Sequence, residues 1–155
     1  MTVTQKIQKK LSDSPAARWT ALAIVSFTMM CTYFITDVMA SLEVILTTPV
    51  AEGGLGWTSS DYGFFSGAYG YINVFLLMLF FGGIILDKCG IRFTGTMSCS
   101  FMVIGVLLKW YALSHDFGEG TFMGYHLQAV YAALGFAIFG MGAEITGITV
   151  SKVII

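Results

Sequence analysis

The sequence predicts an all-α membrane protein with four transmembrane helices, on three observations. The first is composition: 56% of the residues are hydrophobic and 11% charged, against roughly 25% charged in an average soluble domain. The second is four apolar stretches, each long enough to match the ~20 residues that cross a hydrocarbon core of about 30 Å. The third is that Lys and Arg collect on alternate links between those stretches, the pattern of the positive-inside rule.

Residues 1–18 form a polar tail with Lys6, Lys9, Lys10 and Arg18. The first span is 19–46, from Trp19 to Leu46. "TTPVAEGGLGWTSSD" follows, a Pro- and Gly-rich loop through which no helix continues. The second span, 59–86, opens on Thr58 and Asp61 in capping-box spacing. The third is 93–113, from Phe93 to Leu113. "SHDFGEG" then turns the chain into the fourth, 121–150, from Thr121 to Val150. Residues 19–155 thus make one transmembrane domain. Gly63 and Gly67 of "GFFSG" suit helices that pack backbone to backbone. "VMA" at 38–40 weakly resembles a signal-peptidase site. The apolar run from Trp19 to Thr36 exceeds an h-region of about 7–15 residues, however, so a retained span is expected.

The link between the second and third spans holds Lys88 and Arg92, and the end of the fourth span holds Lys152. The other two loops hold only Glu52, Asp116 and Glu119. The tail, that link and the end of the fourth span are therefore expected on the cytoplasmic side. Lys109, beside Trp110 and Tyr111 near the opposite end of the third span, is expected to snorkel to the interface.

Several chemistries are excluded. A net charge of −1 supplies no basic surface for nucleic acid. Cys31, Cys89 and Cys99 lack metal-ligand or disulfide-framework spacing, and neither metal nor cofactor is expected. There is no H-E-x-x-H, and "GFFSG" spaces its serine unlike the G-x-S-G of intramembrane serine proteases, so an enzyme is not expected.

The sharpest cluster of charge is "FGGIILDKCGIR", residues 81–92. Gly83 would let a neighbouring backbone approach. Asp87 sits near a helix C-terminus, where the dipole disfavours an anion, and so needs a cation or another helix's N-terminus. Gly90 permits a tight reversal, and Arg92 opens the third helix as one candidate partner. The bland alternative makes Lys88 and Arg92 membrane anchors, which explains the bases but neither Asp87 nor the glycine spacing. This G-x-x-x-D-K-x-G-x-R segment resembles the signature loop of the major facilitator superfamily, which lies between its second and third helices. "TYFITD" at 32–37, "INV" at 72–74 and "GFAIFGMGAE" at 135–144 further resemble the lysosomal dipeptide transporter branch and its bacterial relatives. One departure is Phe136, where that branch has an arginine. The resemblance implies a twelve-helix fold in two halves, so this chain is expected to be an N-terminal fragment. It implies that the loop formed by Gly83, Asp87, Lys88, Gly90 and Arg92 latches the two halves as the carrier switches. It also implies that Glu144 helps to hold a peptide's amino end. A bacterial inner membrane is the expected location.

Two acids stand inside the spans, where an ionised carboxylate costs roughly 2.5–3.5 kcal/mol on insertion scales and therefore faces a cavity or a partner. Asp37 shares one polar helix face with Met30, Tyr33 and Ser41. Tyr62, Ser66, Tyr69 and Asn73 form a similar stripe on the second span. Glu144 is flanked by Gly140, Gly142 and Gly147, which would leave room around its carboxylate. Glu144, Asp37, Tyr33, Tyr69 and Asn73 are the candidate solute-binding residues. Each has a structural alternative: a protonated buried acid bonded to a neighbouring helix for Glu144, a counter-ion for a base on another helix for Asp37, packing for the tyrosines.

Two function classes remain. One is a secondary transporter moving small organic solutes, short peptides above all, with the bilayer and the remaining helices as partners. The other is a four-span accessory or scaffold protein without transport activity.

Overall fold

The computed structural model describes residues 14–118 and 120–154. Lys6, Lys9, Lys10 and Glu119, and with them most of the tail 1–18, lie outside the described residues.

Pro15 supplies a preset φ at the first turn of α1 (Pro15–Ser41), so the helix starts ahead of Trp19 and takes Arg18 into its first turn. It ends at Leu42, and the short α2 (Glu43–Thr47) follows directly. The loop that follows holds one 3₁₀ turn, Val50–Glu52. The expected capping box then opens α3 (Ser59–Phe75). Asp61 N donates to Thr58 Oγ1 at 3.1 Å, and Thr58 N donates to Asp61 Oδ2 at 2.9 Å. The expected unbroken span to Leu86 is interrupted: Leu77 takes a left-handed conformation (φ 47°), and α4 (Met78–Ser114) begins after it. No Gly or Pro marks this break in the sequence.

α4 is two arms joined at Gly90, whose φ of 79° and ψ of 168° are non-helical. Its contacts with the last helix, α5 (Leu127–Ile154), show the reversal. Up to Gly90 the pairings climb together: Gly82 meets Ile145 and Ile148, and Asp87 meets Lys152, continuing the order set by α3, where Phe65 stacks on Phe136 and Tyr69 and Asn73 meet Gly140. Beyond it they descend: Gly95 meets Thr149, Ser98 and Met102 meet Gly142, and Lys109 meets Gly135. The first arm thus runs parallel to α5 and the second antiparallel.

Three helices are long and apolar enough to cross a membrane: Pro15–Ser41, Met78–Ser114 and Leu127–Lys152. At 17 residues α3 is shorter. The fourth helix does not start at Thr121. Met123 and Gly124 both have positive φ, the signature of a tight two-residue hairpin turn. They join β1 (Thr121–Phe122) to β2 (Tyr125–His126), and α5 follows directly.

The core forms around α5, which is apolar on every side and mostly buried, with Tyr131 and Leu134 left on an exposed stripe. Ala129, Ala132, Phe139 and Ile145 are all essentially inaccessible. Its small residues admit the neighbours closely: a methyl added at Gly135 would stand 2.6 Å from Lys109 N, and one at Gly142 2.6 Å from Ser98 O. The "GFFSG" glycines make no such approach among the described residues. Gly63 has nothing near it, and Gly67 faces Tyr71 of its own helix. α1 lies more loosely on this core through Thr32, Met39 and neighbouring apolar residues.

Candidate functional site

Glu144 stands on α5, the helix that α1, α3 and α4 all touch. One turn earlier, Gly140 lacks a side chain where a methyl would lie 2.5 Å from Tyr69 O. This closeness brings the Tyr69 hydroxyl to Glu144, donating to Oε1 at 3.3 Å. Asn73, one turn further along α3, donates Nδ2 to Tyr69 O at 2.9 Å. Its Oδ1 is buried with no hydrogen-bond partner among the described residues. Tyr69, Asn73 and Glu144 are therefore brought together.

Tyr33 and Asp37 are placed differently. Met30, Tyr33, Asp37 and Ser41 are all exposed, so the polar face of α1 turns away from the buried Thr32 and Met39. Asp37 belongs to neither ion pair of the described residues, Asp61–His126 and Asp87–Lys152. The room expected around Glu144 is also smaller than its glycines suggest. Tyr69 and Asn73 fill the space at Gly140, and Ser98 and Met102 that at Gly142, which leaves Gly147 open.

Phe136 forms the floor beside this cluster. It stacks on Phe65 with centroids 5.3 Å apart and lies 5.6 Å from the Tyr69 ring. The Lys109 ammonium lies over the same ring, 4.8 Å from its centroid and 5.7 Å from that of Phe139. Lys109 does not snorkel: it is 5% exposed, and Nζ has no hydrogen-bond partner among the described residues. The cause is helix register. Gly105 lies one turn before Lys109 and marks the face on which α4 meets the α5 backbone, so Lys109 points inward with it. That i, i+4 spacing was the signal available in the sequence.

At the Gly90 end, Asp87 pairs with Lys152 on the last turn of α5, not with Arg92. Gly82, not Gly83, faces the neighbouring helix; a methyl there would stand 3.2 Å from Ile148 Cδ1. Gly83 has nothing within contact distance among the described residues, while Lys88, Gly90 and Arg92 are exposed.

The opposite end holds a tie that the sequence did not announce. Asp61, 1% exposed, accepts from the His126 backbone N–H at 2.9 Å and lies 2.7 Å from His126 Nδ1. The capping residue of α3 thereby fastens the hairpin at the start of α5. Beside it lies a cavity of about 470 Å³ lined by Trp57, Asp116, His126 and Gln128 among others. Among the described residues no three His, Cys, Asp or Glu side chains gather as metal ligands would. No family model, curated protein or solved structure matches this chain.

Proposed function

We propose that the chain is the N-terminal part of a secondary transporter of the major facilitator type, moving short peptides or similar small solutes by alternating access. The observation that carries this reading is the folded form of residues 83–92. Gly90 reverses the chain between two helical arms, and Asp87 is tied to Lys152 at the end of α5. A loop serving only as a basic anchor needs neither feature. In this reading α1 with α2 is the first span, and α3 with the first arm of α4 is the second. The second arm is the third span and α5 the fourth, with the N-terminus and the Gly90 turn cytoplasmic. An accessory or scaffold role accounts for the close helix packing but not for Glu144 or the pattern of residues 83–92.

Glu144 is the group we assign to a substrate ammonium, held in place by the Tyr69 hydroxyl. The test is ligand-induced thermal stabilisation and uptake of labelled dipeptides, amino acids and sugars, using the complete gene product in detergent and in liposomes. Dipeptides are expected to stabilise the protein and to be taken up. Glu144→Gln keeps the shape and removes the charge, at a cost of about 2–5 kcal/mol of binding, or roughly a thirty-fold or larger loss of affinity. Equal stabilisation of wild type and Glu144→Gln by free dipeptide would remove Glu144 from the site. Absence of uptake for every solute class would remove the transporter reading.

A further inference from the structure

Lys109 Nζ and Asn73 Oδ1 are the buried side-chain polar atoms without a hydrogen-bond partner among the described residues. One is a donor and the other an acceptor, and they stand beside the same stretch of α5. Nζ lies over Phe136 and Phe139, while Asn73 packs against Gly140. An ammonium buried without a partner is among the costliest groups an apolar interior holds, and ring faces repay only part of that cost. An ionisable residue retained at such a place marks a ligand or ion pathway by default.

Building on the assignment of Glu144 to a substrate ammonium, we infer that Lys109 is the opposite pole of the same site. It binds the carboxylate of a zwitterionic solute, and Asn73 Oδ1 accepts an amide N–H between the poles. The order along α5 fits this. Nζ is level with residues 136–139, Asn73 with 140, and Glu144 lies one turn beyond. From the middle of 136–139 to 144 is about 10 Å along the axis at 1.5 Å per residue, the scale of a short peptide with a charge-assisted contact at either end. Phe136, in contact with the Tyr69 ring and beneath the Lys109 ammonium, is the apolar surface between the charges.

Nζ is sealed against α5 in this structure, over Phe136 and Phe139, so entry of a ligand requires an element to move.

The experiment measures binding to the complete gene product of dialanine, its C-terminal amide, its N-acetyl form and tetra-alanine. Wild type is expected to bind dialanine at least about thirty-fold more tightly than the amide, and also more tightly than tetra-alanine. Lys109→Gln should bind dialanine and its amide alike while still rejecting the N-acetyl form, and Lys109→Arg should keep the preference for a free carboxylate. Equal wild-type affinity for dialanine and its amide, with the N-acetyl form still rejected, overturns the role of Lys109 and leaves that of Glu144 standing. Loss of binding for all four ligands overturns both. The wild-type comparison needs no variant, so a misfolded Lys109→Gln does not shelter the proposal.

Discussion

Asp87 and Lys152 show how little a residue can contribute to stability while still mattering to function. Their side chains are 73% and 46% exposed, and an exposed pair contributes only about 0–1 kcal/mol. Asp87→Asn is therefore expected to move the thermal midpoint by less than about 3 °C. If the turn is a conformational latch, the same substitution should reduce uptake several-fold and change thiol labelling of a cysteine placed at Tyr33. Exchanging the two charges, Asp87→Lys with Lys152→Asp, should recover much of the loss. Unchanged uptake and labelling in Asp87→Asn would reduce the pair to a surface contact. Lys109 is the converse case, buried where its neighbours Trp110 and Tyr111 announce an interface. Residue type alone pointed outward, and only its place one turn from Gly105 reveals the inward face.

At the scale of the element, glycine register decides how α4 and α5 meet. Gly142→Val would drive a branched side chain into Ser98 O and Met102, backbone and core atoms that cannot yield cheaply. A loss of about 1–3 kcal/mol or more is expected, read as a lower thermal midpoint or failure to purify as a monodisperse species. Gly147→Ala, three residues beyond Glu144, meets nothing among the described residues. It should be neutral or slightly stabilising, by up to about 1 kcal/mol, through helix propensity. Similar effects of the two substitutions would contradict the packing described. Gly90→Ala tests the reversal between the arms. Its φ of 79° with ψ of 168° belongs to a region open almost only to glycine, so a cost of about 1–3 kcal/mol is expected. A silent Gly90→Ala would mean that the arms are joined differently. These elements were partly legible beforehand. The capping box at Thr58 and Asp61 and the turn at Gly90 were readable because each depends on local backbone chemistry. The break at Leu77 and the hairpin before α5 were not. The sequence around Leu77 holds no breaker, and Met123 is an unusual residue for a left-handed turn position.

For the whole molecule, the topology is a prediction that stands apart from any substrate. Alkaline phosphatase fused after Asp116 should be active and fused after Cys89 inactive, if the chain crosses four times with its N-terminus inside. The reverse pattern would overturn the orientation, and activity at both sites would overturn the four crossings. The sequence by itself determined the all-α class, the apolar helices and the position of the Gly90 reversal, because length, hydropathy and backbone φ are local properties. It also marked Glu144, Tyr69 and Asn73, since polar groups in an apolar run are visible wherever the run lies. Only the tertiary structure decided which of these meet. Tyr69 joins Glu144 because Gly140 lets two backbones close on each other, Tyr33 and Asp37 stay on the exposed face of α1, and Asp87 takes Lys152 over Arg92 because α5 ends beside it. Helix rotation and register depend on how side chains interlock across elements distant in sequence, and no single stretch of chain carries that information.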